Sequence, residues 1–167
     1  MTVRTLLALA PLSLLLHASA RADDLLAEDI GSVRVEKAAR RLLLVGSDGR
    51  VLRTYAGIQL GDSPSGAKRF EGDERTPEGR YLIDFGNPDS AYHLSLHISY
   101  PDARDRAFAE SQGRPPGGQI FIHGQPNQLG NGRMSGDWTD GCIALSNAEI
   151  EELWALVGDG TPIEIVP

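Results

Sequence analysis

The sequence predicts a mostly β domain with minor α content, and three observations carry that reading. Short apolar runs alternate with polar residues at the two-residue period of a strand. The nineteen glycines and ten prolines are spread along the chain as turn signals rather than gathered in a disordered tract. The only segment with complete helix start and stop signals comes late, at residues 147–157.

The elements follow in order. Arg4, the apolar run Leu6 to Leu16 and the small residues Ala18-Ser19-Ala20-Arg21-Ala22 have the basic, apolar and small-residue order of an export signal. Residues 1–22 are therefore expected to be a signal peptide, with a single domain over 23–167. An N-terminal membrane anchor is the competing reading, but no second apolar run follows.

Ser32 to Glu36 and Arg41 to Val45 read as strands, and the Asp48-Gly49 turn leads into a return strand from Val51 to Leu60. Gly61 to Gly66 is a loop, and Thr76-Pro77-Glu78-Gly79 turns into a strand from Arg80 to Phe85. Tyr92 to Tyr100 alternates, with Tyr92, Leu94, Leu96 and Ile98 on one face and His93, Ser95, His97 and Ser99 on the other. Asp102 to Gln112 reads as a short helix closing at Gly113. In the strand Gln119 to His123, Ile120 and Ile122 face one way, Phe121 and His123 the other. Residues 124–136 form a loop. Ser146 and Glu149 make a capping box for the helix that carries Ile150, Leu153, Trp154 and Val157 on one face. Pro162 to Val166 is the last strand.

The formal charge of −7 becomes two units more negative once Arg4 and Arg21 are removed with the signal. An acidic surface argues against nucleic acid or anionic membrane as partner. No stable membrane insertion is expected after cleavage.

Cys142 is the only cysteine, so it forms no internal disulfide. In an exported protein an unpaired thiol is either buried and inert or kept for reactivity. Gly141 before it lets the backbone turn sharply and aim N–H groups at a reacting carbonyl. His123, nineteen residues upstream and flanked by Gly124, is placed to take the thiol proton. His93 and His97 have metal-ligand spacing for a helix, but on a strand they sit about 13 Å apart and cannot chelate one ion. No metal and no cofactor are expected.

The pair His123-Gly124 and Thr139-Asp140-Gly141-Cys142, with Gly72-Asp73 and Thr76-Pro77-Glu78-Gly79 upstream, resembles the L,D-transpeptidase catalytic domain (YkuD-like) family. The resemblance runs from about Ser32 to Val166. It implies a β-sandwich or mixed-sheet fold acting on peptidoglycan in the periplasm or cell envelope. Cys142 would form a thioester with a tetrapeptide stem, His123 would serve as base and then acid, and the Gly124 carbonyl would hold its ring. The acyl group would pass to an amine on another stem, to a lipoprotein lysine, or to water, the last making the protein a hydrolase. A non-catalytic wall-binding module is the alternative of another class.

Two positions depart from the family pattern, Asp140 where it has His and Ala144 where it has Arg or Asn. A carboxylate at Asp140 disfavours a neighbouring thiolate unless neutralised, though it suits an acceptor amine. Trp138 is expected to brace the nucleophile loop or stack on substrate, and Arg133 to be a solvated loop charge by default, or to pair with a stem carboxylate. Lys68, Asp73 and Thr76 could line a cleft or complete turns, and turns are the expectation.

Overall fold

The computed structural model describes residues 29–167. The expected signal peptide at 1–22 lies outside the described residues. Eight strands form one continuous mixed sheet in the order β3-β2-β1-β8-β4-β5-β6-β7. They are β1 (Ile30–Glu36), β2 (Arg41–Gly46), β3 (Val51–Ala56), β4 (Gly79–Asn87), β5 (Ser95–Ile98), β6 (Ile120–His123), β7 (Ile143–Ala144) and β8 (Thr161–Val166). From residue 30 onward two α-helices accompany them, α1 (Ala103–Ser111) and α2 (Asn147–Leu156). The fold is therefore mostly β, as the alternation and turn chemistry predict.

Neighbouring strands are antiparallel except at β1–β8 and β6–β7. The sheet curls until its two margins meet. Gln59, just beyond the edge strand β3, pairs with Ala144 of β7 at the opposite edge. Val35, Leu44, Ile83, Ile98, Ile122 and Ile163 fill the interior with at most 1% of their surface exposed. The capping box of α2 forms as expected, with Glu149 N–H donating to Ser146 Oγ and Ser146 N–H to Glu149 Oε2. Ile150, Leu153 and Leu156 bury the inner face of α2, each contributing about 1.5–3 kcal/mol.

Three boundaries differ from expectation. The strand predicted from Tyr92 to Tyr100 is confined to Ser95–Ile98, because His93 takes a φ of +69°, which extended backbone cannot accommodate. The return strand ends at Ala56 rather than Leu60, and the chain then leaves β2 to make its bridges with Ala144 and Thr139. β7, only two residues long, is too short for any periodicity to reveal.

Candidate active site

The cleft is built on the sheet face opposite the core side chains of β6. Ile120 and Ile122 enter the core, so Phe121 and His123 are left on the other face. The parallel register pairs Ile122 with Ile143 and His123 with Ala144. Cys142 therefore lies beside Phe121 and on the same face as His123, one diagonal step away. Both residues line a cleft of about 1160 Å³.

His123 is 3% exposed. Its Nδ1 lies 2.7 Å from the Gly124 carbonyl oxygen, which only accepts, so Nδ1 carries the proton and Nε2 holds the free lone pair. Burial pushes its pKa below the ordinary histidine value, against the opposing pull of that carbonyl. The ring packs in a triangle with two others, Tyr92 at 4.7 Å and Trp138 at 5.6 Å between centroids, those two being 5.7 Å apart. Tyr92 lines the cleft and is a site residue that alternation alone had placed on the core-facing side of a strand.

Cys142 Sγ accepts from the Phe121 N–H at 3.4 Å and donates to the Gln119 carbonyl at 3.5 Å. Burial pushes the thiol up to about 11; the Asp140 carboxylate adds to the rise, while the Phe121 N–H and the Lys68 ammonium oppose it. The resting pair is thus a neutral thiol and a neutral imidazole, not the thiolate that a histidine neighbour suggests from sequence. The repulsion expected of Asp140 is present, and Asp140 is exposed on the cleft wall.

Gly141 holds the loop in place. Its φ is +127°, and a Cβ there would lie 2.5 Å from the Arg75 carbonyl oxygen, so no side chain fits. Thr139 Oγ1 accepts from the Gly141 N–H at 3.2 Å and donates to the Cys142 carbonyl at 2.7 Å, stapling the turn around the cysteine. The Cys142 N–H makes no hydrogen bond among the described residues. At the turn, then, the Gly141 N–H is engaged and the Cys142 N–H is free among the described residues.

The remaining candidates divide. Trp138 lines the cleft and packs on His123. Arg133 does not line the cleft; it turns away to donate to Gln59 Oε1 at 3.3 Å and to the Gly57 carbonyl. Two acceptors already in place there outbid a solvated cleft position. Ala144 is fully buried and exchanges both backbone hydrogen bonds with Gln59, so its side chain faces no substrate. Asp73 completes a turn by accepting from the N–H groups of Arg69, Phe70 and Arg75. Lys68 does more than that: it is buried, donates to Asp73 Oδ1 at 2.9 Å and lines the cleft. His93 and His97 point to separate partners, Glu151 and Asp84, each at 2.6 Å.

Comparison with known proteins converges on the same fold. The family model of the L,D-transpeptidase catalytic domain (YkuD) matches residues 31–165. The curated Escherichia coli K12 protein named "Putative L,D-transpeptidase YafK" is 31% identical over 94 residues, covering 55% of this chain and 32% of that protein. The helical cell shape determining protein Pgp2 of Campylobacter jejuni superposes with a TM-score of 0.64 at 26% identity, covering 86% of this chain and 54% of Pgp2. An L,D-transpeptidase from Xylanimonas cellulosilytica shares the fold at 19% identity and a TM-score of 0.53, over 81% of this chain and 59% of that one. The chain thus spans about a third of the curated relative and little more than half of these solved structures.

Proposed function

The chain belongs to the L,D-transpeptidase catalytic domain family, and from that premise we propose that it is an exported peptidoglycan L,D-transpeptidase working through a thioester on Cys142. One observation carries the reading: Cys142 and His123 share one sheet face in one cleft, with the imidazole Nδ1–H fixed on the Gly124 carbonyl and Nε2 left free to accept a proton.

The neutral thiol sets the order of events. His123 Nε2 takes the Cys142 proton as Sγ attacks the carbonyl of the third residue of a tetrapeptide stem. The free Cys142 N–H stabilises the oxyanion as the S–C bond forms. The C–N bond to the terminal D-alanine then breaks, and the departing amine takes the proton from His123. An acceptor amine gives a proton to His123 as its nitrogen bonds the thioester carbon; the C–S bond then breaks and His123 returns the proton to Sγ, restoring the thiol. With a thiol near 11 and a depressed imidazole, proton transfer and attack are coupled, as in serine enzymes, rather than preceded by a standing thiolate.

A second reading keeps the same thioester and passes it to water. It is favoured by Ala144, which supplies no polar side chain where the family pattern has Arg or Asn. A lipoprotein lysine is the third acceptor chemistry of this class.

Mass spectrometry of products from defined disaccharide tetrapeptides tests all three. Release of D-alanine with cross-linked dimers supports transpeptidation, and release with tripeptide alone supports hydrolysis. Neither product, together with no carbapenem adduct on Cys142, leaves the binding-module reading.

A further inference from the structure

Two buried glutamines lie behind the cleft, at 1% exposure for Gln125 and 6% for Gln59. The Gln125 Oε1 accepts from the Met134 N–H at 2.8 Å, and its Nε2 donates to the Leu145 carbonyl at 2.7 Å and to Gln59 Oε1 at 3.1 Å. The Gln59 Nε2 donates to the carbonyls of Met134 at 2.8 Å and Gly136 at 2.5 Å. Its Oε1 also accepts from Arg133. Every donor on both amides has a carbonyl-type acceptor, and every amide oxygen has a donor. A flip of either amide would set oxygen against oxygen, so the pair has one orientation.

The segments joined this way are the ones that must agree for the cleft to work. Gln125 sits two residues past His123. Met134 and Gly136 belong to the loop that runs into Cys142, and Leu145 follows three residues after it. We infer that Gln59 and Gln125 are positioning residues that set the spacing between the His123 strand and the Cys142 loop. The strand β7 is too short to do this by ladder bonds alone, with only two paired residues. Arg133 contributes to this clamp. The inference rests on the proposed use of Cys142 and His123 as nucleophile and base.

The test is the variant Gln125→Met, which keeps the side chain's length and removes every donor and acceptor. Its kcat on a disaccharide tetrapeptide is expected to fall about 10- to 100-fold with KM within twofold, since an ångström-scale misplacement of reacting groups costs on that order. The pH profile of Cys142 alkylation by iodoacetamide is expected to move to lower pH as the sulfur loosens from its buried contacts. That second readout needs no peptidoglycan, so a wild type without turnover would sink the proposed function and leave the clamp to be judged on alkylation alone. The double variant Gln59→Met/Gln125→Met is expected to match the weaker single variant within twofold, because the amides act as one unit. An unshifted alkylation profile, or fully multiplicative losses in the double variant, overturns the inference. If Gln125→Met fails to fold, Gln59→Met is read by the same two criteria.

Discussion

The backbone N–H of Phe121 donates to Cys142 Sγ at 3.4 Å, so the strand that carries the imidazole also carries a proton donor for the sulfur. This single contact ties the nucleophile's charge state to the register of β6 and β7. It lowers the thiol pKa, but burial and Asp140 outweigh it.

The two central side chains should separate by function and not by fold. Cys142→Ala is expected to abolish turnover and carbapenem adducts, and His123→Ala to lower kcat by at least about 100-fold. Circular dichroism of both variants should retain the wild-type strand signal. Turnover persisting in Cys142→Ala would exclude the thioester.

Alkylation of the resting protein should climb steeply with pH. With a thiol near 11, about one sulfur in a thousand is ionised at pH 8, so iodoacetamide labelling should be slow there and rise into strongly alkaline solution. A plateau below pH 8 would contradict the neutral resting pair.

Stability should follow the same two groups with opposite signs. The raised Cys142 pKa favours the fold fully below the unfolded thiol's pKa and loses that contribution as pH climbs toward about 11. The lowered His123 pKa contributes stability that is present above the unfolded histidine's pKa and lost as pH falls through the folded value. Thermal melts should therefore be highest between these windows, and Cys142→Ala should lose less stability than wild type above about pH 9.

Replacing Asp140 with Asn should speed alkylation at fixed pH by about three- to tenfold, because it removes a carboxylate that raises the thiol. The carboxylate is exposed, so the effect should shrink as salt is added. An unchanged rate at low salt would place the Asp140 charge out of reach of the sulfur.

Gly141→Ala should be among the costliest single-methyl changes in the protein. The added Cβ meets the Arg75 carbonyl at 2.5 Å in a left-handed backbone region, worth about 1–3 kcal/mol in strain. A melting temperature within a degree of wild type, with turnover intact, would show that the loop relaxes freely.

The strands and the helix α2 were legible because their signals are local: alternation, turn residues and a capping box. The meeting of Cys142 with His123 and the Gly124 carbonyl in one cleft was legible because glycine neighbours mark both residues in sequence. Tyr92 was not, since it reaches the cleft through the turn at His93, and Lys68 was legible only as one of two readings, its bond to Asp73 and its place in the cleft being set by the fold. The partners of Arg133 were illegible for the same reason. Its partners Gln59 and Gly57 lie more than seventy residues away, and no pattern in the loop announces them. The raised thiol pKa was half visible, as the charge of Asp140 could be read but the burial could not.

The pairing of Gln59 with Ala144 also restricts how a peptide can approach. β7 has β6 along one side and Gln59 along the other, so no row of free amides beside the nucleophile is left for an incoming chain to zip onto. A ligand reaching the sulfur would then be held by the loops and side chains that line the cleft rather than by strand addition to β7.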